Sequence, residues 1–231
     1  MCKLNHISIM EEDACQVLKD TCIRACHERN ACTKGYKQML LSENVSQMMA
    51  TWRDNWEDIV ESKYADIIRA ELPKIYPALK DEMNKAGIYL NECPDNAKSF
   101  VYVIVTDSDN PIKIYGYAKA YVLGDAKVIA FNHSQAYNYK CQDASVMLYD
   151  YAFGKVMAGR AFAYDRSSLQ CDCDAFLSGA VECNAFGGVV KATAFRHINA
   201  FRDTVVYSNV ERNIILSGTS HIEPLNTNNN E

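Results

Sequence analysis

From Tyr115 onward the chain alternates small or aliphatic residues with polar or bulky ones, in short bursts that recur every eight to ten residues. Ala118-Lys-Ala120-Tyr-Val122, Ala126-Lys-Val128-Ile-Ala130, Ser134-Gln-Ala136 and Ala144-Ser-Val146-Met-Leu148 show the pattern. Three residues ahead of the small residue stands a larger one, often followed by Gly, Asn or Asp: Tyr115-Gly116, Leu123-Gly124, Phe131-Asn132 and Tyr149-Asp150. Period-two alternation predicts strands, and Gly, Asn or Asp at a fixed offset predicts turns. Strands repeated at a short fixed period predict a coil of stacked strands, a parallel β-solenoid. The register loosens over 165–173, where loops are expected to bulge from the coil, and returns at Asp174-Ala175-Phe176 and Asn184-Ala185-Phe186.

The first 90 residues carry a different period. Cys15, Leu18, Cys22 and Ala25/Cys26 fall at steps of three and four, one face of a helix. Thr33-Lys-Gly35-Tyr36 interrupts it. Ser42 is the expected N-cap of a second helix carrying Val45, Met48, Met49, Trp52, Trp56, Ile59 and Val60 on one stripe. A third helical stretch runs through Ile67, Ile68, Leu72, Ile75, Leu79 and Met83, kinked or divided by Pro73 and Pro77, and ends at Gly87. Ile88–Leu90 and Phe100–Val105 then read as strands. The resulting expectation is an α+β chain: a helical domain over residues 1–90, a β-solenoid over 98–222 and a disordered tail over 223–231. The helical domain is expected to cap one end of the coil, with Val205–Ile222 as the candidate for the other, because open solenoid ends expose strand edges and core.

Composition narrows the function classes. At 48% hydrophobic and 23% charged the chain has ample material for a core. Residues 1–99 carry 16 acidic and 13 basic side chains and residues 100–222 carry 11 of each, so the solenoid is neutral. That disfavours a DNA mimic and a basic nucleic-acid groove alike. No run of eighteen apolar residues occurs and the first residues contain no apolar signal core, so we expect a cytoplasmic protein with neither nucleic-acid nor membrane partners. Its ten cysteines are then expected to be reduced thiols.

Candidate chemistry is sparse. Cys15, Cys22 and Cys26, with His27 and Cys32 nearby, offer a possible metal site in which Cys22, Cys26 and Cys32 would be ligands. The same cysteines lie on the stripe expected to face the core, where Cys acts as a small hydrophobe. In Cys171-Asp172-Cys173-Asp174 alternation sends thiols to one face and carboxylates to the other, as an ordinary strand would, and Cys183-Asn184-Ala185 is expected at the matching position. Asp107-Ser-Asp109-Asn110 begins like a calcium loop, but no Gly at its sixth position or Glu at its twelfth completes it. No catalytic motif emerges among the scattered histidines and serines, so the expectation is a non-enzyme without a cofactor.

Tyr115, Tyr117, Tyr121, Phe131, Tyr137, Tyr139, Tyr149, Tyr151, Phe153, Phe162 and Tyr164 crowd the repeats. With Ala, Val and Ser turned inward, some of these rings must stand outside. Tyr117, Tyr121, Tyr137 and Tyr151 are the candidate binding face for a protein partner. Ladders that only stabilise consecutive rungs, or rings buried under the cap, are the alternative.

The segments Ala31-Cys32-Thr33-Lys34-Gly35-Tyr36, Leu40-Leu41, Asn44-Val45 and Gly87-Ile88-Tyr89-Leu90, the last opening the repeat-bearing half, resemble a group of uncharacterised proteins from gut anaerobes and their phages. The resemblance covers most of the chain from about residue 31. It implies a helical N-terminal domain followed by a short-repeat solenoid, and a phage or mobile-element context. It supplies no activity, catalytic residue or cofactor. The Cys-rich segment before Ala31 and residues 165–175 fall outside the shared pattern.

The expected function is therefore a non-enzymatic interaction protein that presents a solenoid face, directed at a host protein such as a defence component if phage-encoded. A self-associating structural module of a virion or surface assembly, with a homo-oligomer allowed, is the alternative. A metal- or small-molecule-binding protein using the thiols is a third.

Overall fold

A computed structural model describes residues 9–28, 33–55, 63–95 and 100–225 of the chain. The chain divides into two compact units, residues 1–90 and 91–231.

In the first unit four helices are described: α1 (Ile9–Glu28), α2 (Thr33–Leu41), α3 (Val45–Asp54) and α4 (Lys63–Lys85), followed by the short strand β1 (Ile88–Leu90). Leu18, Cys22, Met39, Met48, Met49, Trp52, Ile68, Leu72 and Met83 fill its core. These are the apolar stripes of the sequence, since residues three and four apart share a helix face.

Local punctuation differs from expectation in two places and is narrowed in a third. Thr33-Lys34-Gly35-Tyr36 opens α2 with Gly35 buried inside it, so the glycine does not interrupt the helix there. The N-cap of α3 is Asn44, whose Oδ1 accepts from Gln47 N at 3.0 Å, while Ser42 is buried and donates to Gln38 O at 2.8 Å, closing α2. Pro73 and Pro77 do not divide α4, which runs unbroken past both. They stand four residues apart on its exposed face, so neither ring enters the core. Gly87 does end the helix, at φ +78 and with its N–H on Asn84 O.

The second unit is a parallel β-solenoid with two strands per coil. One sheet stacks β2 (Tyr102–Val105), β4 (Lys119–Val122), β6 (Gln135–Asn138), β8 (Phe153–Val156), β10 (Ser168–Cys171), β12 (Glu182–Ala185), β14 (His197–Ala200) and β16 (Ile214–Leu216). The other stacks β3 (Ile112–Ile114), β5 (Lys127–Ala130), β7 (Ser145–Leu148), β9 (Arg160–Asp165), β11 (Asp174–Gly179), β13 (Val189–Ala192), β15 (Val205–Tyr207) and β17 (His221–Glu223). The spacing of eight to ten residues is thus half a coil. A full coil spans 18 residues from Gln135 to Phe153 and 14 from Ser168 to Glu182.

Along each strand one residue in two points inward, and apart from Asn138 these side chains are mostly small or aliphatic. Ala120, Ala136, Val128, Val146, Ala161, Leu169, Val190 and Ile198 are all buried. Two sheets so close leave little room between them. On β8 the inward residue is Gly154, where a Cβ would come within 2.7 Å of Leu148 Cδ1 from the facing sheet. Large and small residues therefore interdigitate.

The loosened segment 165–173 is no bulge; it belongs to the shortest coils, in which Arg160 pairs with Asp174. Residues 205–222 are not a separate cap. They continue the ladder as β15, β16 and β17, with Val206 paired to Ile222 and Ile198 to Ile214. Trp56, Ile59, Val60 and the tail 226–231 lie outside the described residues.

Candidate binding surface

The strongest chemical concentration lies at one corner of the coil, where the chain leaves the second sheet for the first. Four successive corners read Tyr115-Gly-Tyr-Ala118, Phe131-Asn-His-Ser134, Tyr149-Asp-Tyr-Ala152 and Tyr164-Asp-Arg-Ser167. Each closes with a backbone bond from the fourth residue to the first carbonyl, at 3.0–3.2 Å. The second residue takes a left-handed conformation, with φ of 63 at Gly116, 60 at Asn132, 57 at Asp150 and 57 at Asp165. That requirement explains the Gly, Asn and Asp. The fourth residue points inward and must be small, and in two corners its hydroxyl donates to the first carbonyl: Ser134 Oγ to Phe131 O at 2.8 Å and Ser167 Oγ to Tyr164 O at 2.7 Å. The aspartates link coils, with Asp150 accepting from Asn132 N and Asp165 from Asp150 N, both at 3.2 Å. Leu123-Gly124 lies at the other corner and answers to a different need, because a Cβ on Gly124 would meet Asp107 N at 2.5 Å.

The first and third positions of these corners project outward and repeat with the coil, so their rings align in two columns. Tyr115, Phe131, Tyr149 and Tyr164 stack at 5.3, 5.3 and 4.8 Å between centroids, half-buried. Phe100, Tyr117, His133 and Tyr151 form the second column at 5.8, 5.8 and 5.6 Å. This column faces solvent: Phe100 is 66% exposed, Tyr117 47% and Tyr151 54%. Cations sit at both ends. Lys119 Nζ lies 5.6 Å from the Phe100 ring, and the Arg166 guanidinium lies 5.9 Å from the Tyr151 ring while donating to Tyr151 Oη at 3.0 Å.

The four tyrosines singled out from sequence fall in two stacks. Tyr117 and Tyr151 belong to the exposed column, but Tyr121 and Tyr137 belong to a third stack on the first sheet, 5.0 Å apart, with Tyr102 6.3 Å beyond Tyr121. Tyr121 is only 6% exposed, although it projects on the outer side of its strand as alternation requires. Outward is not the same as uncovered. Phe100 and His133 complete the exposed column and escaped sequence reading. Their signal is the spacing of 17, 16 and 18 residues between Phe100, Tyr117, His133 and Tyr151, the period of the whole coil.

The thiols are elsewhere. Cys22 is fully buried in the helical core and Cys15 is half-buried, whereas the Cys26 and His27 side chains and Cys32 lie outside the described residues. Among the described residues no group of three or more His, Cys, Asp or Glu side chains is placed to hold a metal ion. Cys171 and Cys173 both point inward while Asp172 and Asp174 point out. Cys183 is not in the matching position, because Cys171 pairs with Ala185 and Cys183 with Leu169. The Cys171 and Cys183 sulfurs nevertheless lie 3.9 Å apart as free thiols. Their mutual hydrogen bond, then burial, pushes the Cys171 thiol well up, and burial pushes Cys173 up as well. Such thiols stay protonated and make poor nucleophiles or metal ligands. In the calcium-like segment, Asp107 Oδ1 accepts from Asp125 N at 2.8 Å and Ser108 Oγ donates to Asn110 O, the work of a turn.

No family model, curated protein or solved structure matches this chain. Helices followed by a short-repeat parallel solenoid, the architecture implied by the sequence resemblance, is what the geometry itself displays.

Proposed function

We propose that the chain is a non-enzymatic interaction protein and that the exposed column Phe100–Tyr117–His133–Tyr151 is its contact surface for a protein partner. The observation that carries this reading is the contrast between columns. Rings that served only to tie coils together would gain by burial, yet in this column Tyr117 and Tyr151 are each about half exposed. Aromatic rings held by a rigid sheet lose little freedom on binding, and a few central rings commonly dominate such an interface. With Lys119 and Arg166 at the two ends, an apolar partner segment flanked by carboxylates fits the column. The phage or mobile-element context implied by the sequence resemblance makes a host protein, including a defence component, the partner to seek in the cytoplasm. Among the described residues no helix is long and apolar enough to cross a membrane.

The test is the double variant Tyr117→Ala with Tyr151→Ala. It should melt close to the unmodified chain and lose affinity for the captured host protein by a factor on the order of thirty or more, the equivalent of about 2 kcal/mol. Unchanged affinity in a folded double variant would remove the column from the interface.

A further inference from the structure

Among the described residues the final coil is built like those before it, and its apolar side chains are exposed. Ile214 and Leu216 of β16 pair in register with Ile198 and Ala200, and Ile222 of β17 pairs with Val206. Ile198, Ala200 and Val206 are fully buried, and alternation gives the three residues stacked on them the same inward direction. Yet Leu216 is 41% exposed, Ile214 and Ile222 are half-buried, and the outward Ile215 is 57% exposed. The inward column of the core therefore runs out to the end of the coil.

The backbone is open there too. Among the described residues β16 adjoins only β14 in the strand order, and β17 only β15. His221 N donates to Thr204 O and Glu223 O accepts from Ser208 N, so both residues face β15. In a parallel ladder the residue between them, Ile222, then turns its N–H and C=O away, toward the open edge. Likewise Asn213 O accepts from Ile198 N and Ser217 N donates to Ala200 O, which leaves the backbone groups of Ile214 and Leu216 on the open edge of β16. Edges are usually blunted by charge or proline, and Ile214-Ile215-Leu216 has neither.

We propose that this end receives a second copy of the chain, head to head about a two-fold axis, with β17 pairing antiparallel to its own copy at Ile222 and β16 to its own copy at Ile215. The order of residues selects a copy over an unrelated strand. Reversed upon itself, His221-Ile222-Glu223 sets His221 against the partner's Glu223, Ile222 against the partner's Ile222, and Glu223 against the partner's His221. The two Ile222 residues exchange both backbone hydrogen bonds, and each His221 imidazole, 3.4 Å from the Glu223 carboxylate of its own chain, is set beside the partner's Glu223 on the outer face. Ile214-Ile215-Leu216 reversed upon itself sets inward Ile214 against the partner's Leu216. A two-fold contact demands this self-complementarity. This proposal is independent of the aromatic column.

The end of a two-stranded coil is a small surface, so the association is concentration-dependent. Sedimentation equilibrium of the full chain should show the mass rising from 26.0 kDa toward twice that value as concentration increases. Ile215→Lys, on an exposed outward position, should hold the mass at the monomer while circular dichroism stays unchanged. His221→Glu alone and Glu223→Lys alone should each weaken the dimer at least tenfold. An equimolar mixture of those two variants should restore it, because each chain then meets an opposite charge on the other; a role within one chain would not be rescued by mixing. A monomer at every concentration would overturn the proposal. So would a dimer indifferent to all three variants, or one that appears only when residues 226–231 are removed.

Discussion

Asn138 stands at an inward, fully buried position where the coils before and after carry Val122 and Val156. It is tolerated because every polar atom of its amide is used: Nδ2 donates to Cys141 O at 2.9 Å and to Ala158 O at 2.8 Å, and Oδ1 accepts from Cys141 N at 3.0 Å. The side chain thereby closes the corner of the longest coil. Asn138→Ala should lower stability by about 1–3 kcal/mol in denaturant melts, since those backbone groups lose buried partners. Ala144→Leu should cost a similar amount, about 1–3 kcal/mol, by overpacking a fully buried site, while the exposed Lys127→Leu should be nearly neutral. The inward alanines were legible in the sequence because alternation marks them directly. Asn138 was not, because asparagine at a strand end reads as a turn residue. The inward thiols give a pH prediction. The folded state holds Cys171 and Cys173 protonated beyond the ordinary thiol value of 9.0, so the unfolded chain releases those protons first. Their contribution to stability is complete below that value and is lost as pH rises above it. Melting temperatures should fall on the alkaline side, and less steeply in a Cys171→Ala, Cys173→Ala double variant.

Among the elements, the helices and the stacked columns illustrate two kinds of legibility. Helical stripes announce themselves by spacing, and Trp52 is buried as its stripe requires; Trp52→Ala should cost about 3–5 kcal/mol in thermal or chemical unfolding. Cap positions were less legible: Ser42 and Asn44 are both good capping residues, and only tertiary burial of Ser42 decides between them. For the solenoid, strand alternation fixed which residues project inward. It could not say which outward residues are neighbours, because that depends on the number of strands per coil. Two strands per coil make residues 14–18 apart adjacent, which separates Tyr121 and Tyr137 from Tyr117 and Tyr151. Tyr121→Ala should therefore behave as a core truncation and cost about 3 kcal/mol, whereas Tyr117→Ala should stay within about 1 kcal/mol of the parent. Comparable losses at both positions would mean that the exposed column also holds the coils together.

On the scale of the molecule, the solenoid is a one-dimensional stack in which each strand hydrogen-bonds only to the coil before and the coil after. Stability in such a stack is a sum over neighbours, and a coil with one neighbour is held by half the contacts of the rest. Amide exchange should accordingly be fastest in β16 and β17 and slow progressively toward β10 and β12; uniform protection along the stack would contradict this. Self-docking at the open end should raise protection there first, as protein concentration increases. The same short reach of every pairing bears on how the chain is made. From β4 onward each strand joins one that precedes it by only 14–18 residues. A nascent chain emerging from the ribosome thus meets its template already laid down. Coil by coil, it can be wound on in the order of translation, without waiting for residues still to be synthesised.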